Sequence, residues 1–197
     1  MNEFDVIIAL SMGLGLAAAS GFRVFLPPFL LSIAVRADLP LPVDVNLMDT
    51  PFEYFDSNVA VILLGVATVA EFAGYYVPWV DNLLDSIASP AAVVAGSGMT
   101  ALVLEGNTDP VIQWSLAIIA GGGVTAIVQG ATVVTRGIST TLTAGFANPI
   151  VSTGENLASV ILAIIAMVLP ILAAVLVAVL IGVIVLKASQ KVAPSSA

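Results

Sequence analysis

NVAVILLGVATVAEFAGYYVPWVDNLLD, residues 58–85, is the stretch whose reading decides the fold. Residues 58–77 form an apolar run with Glu71 near its end, in a chain where only 9% of residues are charged. About 20 apolar residues in a helix cross a hydrocarbon core of about 30 Å, so this run reads as one bilayer crossing. Beyond it the pattern changes. Val80, Leu83, Leu84 and Ile87 fall at i, i+3, i+4 and i+7, with Asp81, Asn82, Asp85 and Ser86 opposite. That is an amphipathic helix over 79–89, started by Pro78 in its first turn. Its polar face turns either to bulk water or to the protein interior, and Asp81 and Asp85 go with it.

Upstream, residues 6–35 are nearly continuous apolar sequence, interrupted by Arg23 and Pro27-Pro28. One helix of that length would run about 45 Å, so the spacing predicts a first helix over 6–22 and a short broken or re-entrant segment over 24–35. Residues 37–57 are a polar loop with Asp38, Asp44, Asp49, Glu53 and Asp56. Downstream, 90–104 reads as a shorter crossing and EGNTDP (105–110) as a turn. A crossing over 111–135 is softened by Gly121-Gly122-Gly123. GISTTLTAGFANPI (137–150) is polar, either crossing or re-entrant, and 157–186 reads as one long helix kinked at Pro170. The expected fold is an all-α membrane protein, a single domain over 1–197 with about six transmembrane segments.

Composition supports this, with 59% hydrophobic residues and a mean hydropathy of +1.12. The absence of Cys and His removes thiol and imidazole chemistry and the metal sites built on them, so no enzyme activity, cofactor or metal is expected. The net charge of -8 is concentrated in the 37–57 loop. Lys and Arg favour the cytoplasmic side, which places that loop outside and the Lys187–Lys191 tail inside. The start MNEFD is acidic rather than basic, so the first helix is expected to be retained, with both termini cytoplasmic.

Two candidate halves, 5–105 and 110–187, share an order of features. Each has a Gly-rich helix closed by an arginine (Arg23, Arg136), a short broken segment, a glutamate (Glu71, Glu155) and a later proline (Pro78, Pro170). With three crossings in the first half, the second would enter the membrane in the opposite sense, as an inverted repeat. That arrangement predicts two ion pairs, Arg23 with Glu155 and Arg136 with Glu71. A membrane-buried charge without a partner costs about 2.5–3.5 kcal/mol even on the insertion scale.

Gly21-Phe22-Arg23, the series Glu71, Pro78 and Asp81, and Arg136 followed by Asn148-Pro149, Ser152 and Glu155 occur in the order of a known bacterial family. Over nearly its whole length the chain resembles the membrane-protein family catalogued as domain of unknown function 4126. The family pattern has an acidic pair where this chain has Glu155-Asn156. The resemblance implies a small multi-pass protein of the bacterial inner membrane.

The candidate ion- or proton-binding residues are therefore Glu71, Asp81, Asp85 and Glu155, and the charge-pairing candidates are Arg23 and Arg136. For the acids the alternative is a set of helix-end or interfacial carboxylates. For the arginines it is snorkelling, and for Tyr75, Tyr76 and Trp79 an aromatic belt is expected. Gly96, Ser97, Gly98 and Gly121–Gly123 are expected to allow close helix packing. The functional expectation is a small transporter or channel for an ion or small solute. The alternative is a scaffold or assembly factor in which the same charges only lock helices together. Expected partners are the lipid bilayer, the ion or solute and a second copy in a homodimer, with no nucleic acid.

Overall fold

The computed structural model describes residues 3–45, 47–77 and 80–192. It is helical, with no strand among the described residues. α1 is Glu3–Phe22, α2 Leu26–Arg36, α3 Asn58–Tyr75 and α4 Val80–Leu104. α5, Pro110–Leu116, passes through a π-helical turn, Ala117–Gly122, into α6, Gly123–Thr143; α7 is Asn148–Val168 and α8 Pro170–Val192. Among the described residues, five helical stretches are long and apolar enough to cross a membrane, and α2 and α3 are shorter apolar helices.

The distribution of side chains is inverted relative to a water-soluble fold. On α3 the buried residues are Thr68, Glu71 and Tyr75, one face at helical spacing. Val59, Ile62, Leu63, Val66 and Val69 point outward, each 63–69% exposed. In water, that exposed apolar surface would be strongly unfavourable; against lipid it is the expected surface, and the fold is that of a multi-pass membrane protein.

α1 lies at the centre, packed against α4, α6, α7 and α8. Small residues and hydroxyls make this possible. A Cβ on Gly96 would lie 1.8 Å from Thr125 Oγ1, and one on Gly121 would lie 2.3 Å from Thr100 Oγ1. Thus GSGMT (96–100) of α4 and GGGVT (121–125) grip each other reciprocally in an antiparallel register. Thr100 and Thr125 each also donate to a carbonyl of α1, Gly13 O at 3.2 Å and Ala17 O at 2.8 Å. Gly98 and Gly123 face open space instead and take no part.

The structure redraws five of the expected segments. The amphipathic helix over 79–89 and the crossing over 90–104 are one helix, α4, continuing through Pro90. Fifteen residues alone would reach only about 22 Å, short of the ~30 Å core. Residues 137–150 are not a segment of their own: α6 runs to Thr143, Ala144 and Gly145 turn the chain at positive φ, and α7 begins at Asn148. The long kinked helix is two helices that break at Leu169, where ψ is 67° and Pro170 supplies no amide. α8 then folds back along α7, so that Leu180 and Ile184 line the same cavity as Val151 and Glu155. Pro27-Pro28 does not break a helix but starts one, since both lie in the first turn of α2, where amide donors are not required.

α2 also returns the chain toward its starting end. Val43 and Leu47 of the acidic loop join one apolar cluster with Val6 and Ile8 of α1, Leu104 of α4 and Leu116 of α5. Phe52 stacks on Trp114 at 6.2 Å. Val103, near the end of α4, lies against Gly13 of α1, and α5 begins shortly beyond Leu104, so the loop that stacks on Trp114 lies at the same end of the bundle as the start of α1. Lys187 on α8 lies at the opposite end, where Phe22, Leu180 and Ile184 converge. The start of α1 and the Lys187 end of α8 thus lie at opposite ends of the bundle.

Candidate functional site

Six elements meet at the end of the bundle opposite the acidic loop, and the charged residues of the membrane region meet with them. Arg23, just beyond α1, is 0% exposed and Arg136, on α6, is 1% exposed. Neither snorkels. Glu155 of α7 lies between them: its Oε2 is 3.1 Å from Arg23 Nη1 and 2.9 Å from Arg136 Nη2. Its Oε1 accepts from Arg136 Nε at 3.3 Å. The two approaches to Oε2 are close but not aligned as hydrogen bonds, so that buried oxygen is held by charge alone.

Arg136 also pairs with Asp85. Asp85 is 7% exposed, so at this position the polar face of α4 turns to the protein interior rather than to bulk water. The pair lies about three helical turns from the Gly96–Thr125 contact on both helices, in the same antiparallel register. Helix packing at mid-bundle thus sets where the charges meet. The side chain of Asp81, with Pro78 and Trp79, lies outside the described residues.

Arg23 is held further by neutral acceptors. Its Nε donates to Asn156 Oδ1, its Nη1 to Phe22 O at 2.8 Å and its Nη2 to Ser152 O at 3.0 Å. Asn156 meets the guanidinium with an amide oxygen. Tyr75, which sequence reasoning placed in an aromatic belt, is 2% exposed and sandwiched. The Arg23 and Arg136 guanidinium carbons lie 4.2 Å and 4.0 Å from its ring centroid. Each contact is a cation–π interaction in a dry environment, where such contacts are strongest. The sequence signal for this role was its spacing from Glu71: i and i+4 on α3 share a face. Tyr76 is 43% exposed and its hydroxyl lies 2.8 Å from Thr153 Oγ1.

Glu71 does not pair with Arg136. Its carboxylate accepts from the amides of Val24 at 2.7 Å and Phe25 at 3.1 Å, at the N-terminus of α2. Those amides lie immediately ahead of Leu26, the first helical residue of α2, where no intrahelical acceptor is at hand, and the positive end of the helix dipole favours an anion there. Glu71 is therefore a cap supplied by another helix, fixing the α1–α2 corner to α3. Glu71→Leu is expected to lower stability by about 2–4 kcal/mol, as two buried donors lose their acceptor. Glu71→Gln, which keeps one acceptor, should cost about half as much; thermal unfolding in detergent measures both. Equal losses for Gln and Leu would argue against the capping role.

Glu155, Asp85, Arg23 and Arg136 thus form one network, with Glu71 held one residue away from it at Val24. Glu155 is also in the wall of a cavity of 270 Å³ between α6, α7 and α8, together with Thr132 and Thr135. Fold and site define an all-α multi-pass membrane protein with a buried ion-pair centre. The chain matches the family described as Domain of unknown function (DUF4126) over residues 10–190, and it belongs to that family. No curated protein and no solved structure matches it.

Proposed function

We propose that the protein is a small, non-enzymatic transporter of the bacterial inner membrane for an ion or small solute, in which Glu155 is the group that responds to a proton or cation. The observation that carries this reading is Glu155 Oε2, which lies between two guanidiniums without an aligned hydrogen bond while its residue lines a cavity. A static lock is best served by full hydrogen bonding, because a partly satisfied buried network costs more than it contributes. A carboxylate with spare acceptor capacity beside a cavity is placed to exchange an arginine for a proton or cation. Neutralising it would remove the anion that Arg23 and Arg136 share, loosening the hold of α1 and α6 on α7. The chemical difference between the two states is then a stated one, as a ligand-driven change requires.

The basic end with Lys187 is read as cytoplasmic and the acidic loop, with Glu3, as external, which follows the Lys and Arg bias. The Gly-rich helices that open the two candidate halves, α1 and α6, run in the same sense and bring Arg23 and Arg136 to one end of the bundle, so the halves 5–105 and 110–187 are not read as inverted.

The scaffold reading also has a specific observation behind it: every guanidinium nitrogen of Arg23 already meets a protein acceptor. Flux through reconstituted protein separates the two. Across a panel of ions and small solutes, with and without a pH gradient, wild type is expected to move at least one. Asp85→Asn should slow that flux at least tenfold while the protein stays folded. Folded wild type that moves nothing across the panel would leave the scaffold reading standing.

A further inference from the structure

A cleft of 780 Å³ opens between α6 and α8, walled by Ala126, Gly130, Val134 and Ile138 on one side and Val183 on the other, with Lys187 at one end. The four α6 positions are four apart and form one stripe. It runs about 18 Å, close to one leaflet of a ~30 Å core. At mid-length the floor is open, since a Cβ on Gly130 would meet no atom within 4 Å. Lys187 is exposed, and among the described residues no carboxylate lies within ion-pair distance of it. An apolar trough of leaflet length that ends in an unpaired cation is complementary to an acyl chain carrying an anionic head.

We propose that an anionic phospholipid occupies this cleft, its acyl chain along the α6 stripe and its phosphate on Lys187. A second copy of the chain fits the cleft less well. The carboxylates described at this end, Glu71, Asp85 and Glu155, are buried, so a neighbouring copy has none of them to offer Lys187. The site also has a route inward. The cavity beside Glu155 shares Ala131, Thr135, Leu180 and Ile184 with the cleft, so the lipid would lie against the approach to the charge network. The inference does not depend on whether the protein transports.

Native mass spectrometry of the full chain, loaded with phosphatidylglycerol or phosphatidylcholine, tests it. Wild type is expected to retain the anionic lipid roughly fivefold over the zwitterionic one, the effect of one lysine at a charged surface. Lys187→Gln, an exposed change that leaves the fold intact, should erase the preference, and Gly130→Leu should reduce retention of both lipids by filling the trough. Equal retention of the two lipids by wild type would overturn the proposal. So would an unchanged preference in Lys187→Gln, or a Gly130→Leu effect confined to dimerisation. Binding of inorganic phosphate at Lys187 with no lipid dependence would equally count against it.

Discussion

Glu155→Gln is expected to destabilise the folded protein by about 3–5 kcal/mol, the cost of removing one partner from a buried ion pair. The reason is that Glu155 serves two arginines at once. Arg136 keeps Asp85, but Arg23 has no other carboxylate within ion-pair distance among the described residues, only neutral acceptors. Both guanidiniums would then share the Tyr75 ring without the anion that separates their charges. Asp85→Asn should cost less, since Arg136 retains Glu155. The partner assignment can be checked by a double-mutant cycle on thermal unfolding in detergent. Arg23→Gln should cost much less in the Glu155→Gln background than in wild type, with a coupling of about 1–3 kcal/mol. Additive effects would mean that the 3.1 Å approach contributes little.

Asn156→Asp offers a sharper version of the same argument. Asn156 already accepts from Arg23 Nε, so an acid there restores a charge to Arg23 but not to Arg136. It should therefore recover part of the Glu155→Gln loss. In the wild-type background it adds a third acid to the network of Asp85 and Glu155, directly next to Glu155, where like-charge repulsion makes it neutral or unfavourable.

How much of this was legible in the sequence depends on what set each feature. The Arg23–Glu155 pair was readable because each residue stands near a helix end and the cost of an isolated intramembrane charge demands a partner. The Arg136–Glu71 pair failed through a miscounted passage. α2 brings the chain back toward the starting end, so α3 runs in the same direction as α1 and delivers Glu71 to the same end as Arg23. Hydropathy alone hid this, because an 11-residue helix with two prolines in its first turn is too short to register as a crossing. The turn at Leu169 was hidden for the opposite reason. Apolar sequence continues without interruption through a backbone reversal that rests on one residue and the proline after it. Tyr75 was missed because an aromatic residue near a membrane interface is usually an anchor, and only the side chains across from it show that this one separates two cations. Gly96 and Gly121 were readable as packing positions, but not their partners, since nothing in the sequence alone states the register between two helices.

That register supports the second large effect. Gly96→Ala is expected to destabilise the protein by about 3 kcal/mol or more, at the upper end for overpacking a tight interior. A Cβ at position 96 would stand 1.8 Å from Thr125 Oγ1 and 2.9 Å from its Cβ. Rotating the threonine hydroxyl away does not relieve both contacts, and it sacrifices the 2.8 Å bond from Thr125 to Ala17 O on the central helix. The remaining outlet is separation of α4 from α6, which would also pull Asp85 from Arg136, because both contacts lie on one antiparallel register. Gly98→Ala is the matched control. It lies on the same helix, two residues away, and a Cβ there would meet nothing within 4 Å. Its effect should be within about 0.5 kcal/mol, with a slight gain from helix propensity. Thermal unfolding of the two variants side by side reads the difference directly. Similar midpoints for Gly96→Ala and Gly98→Ala would contradict the reciprocal packing of α4 on α6. A large loss in Gly96→Ala that Thr125→Gly partly reverses would establish that the two positions meet.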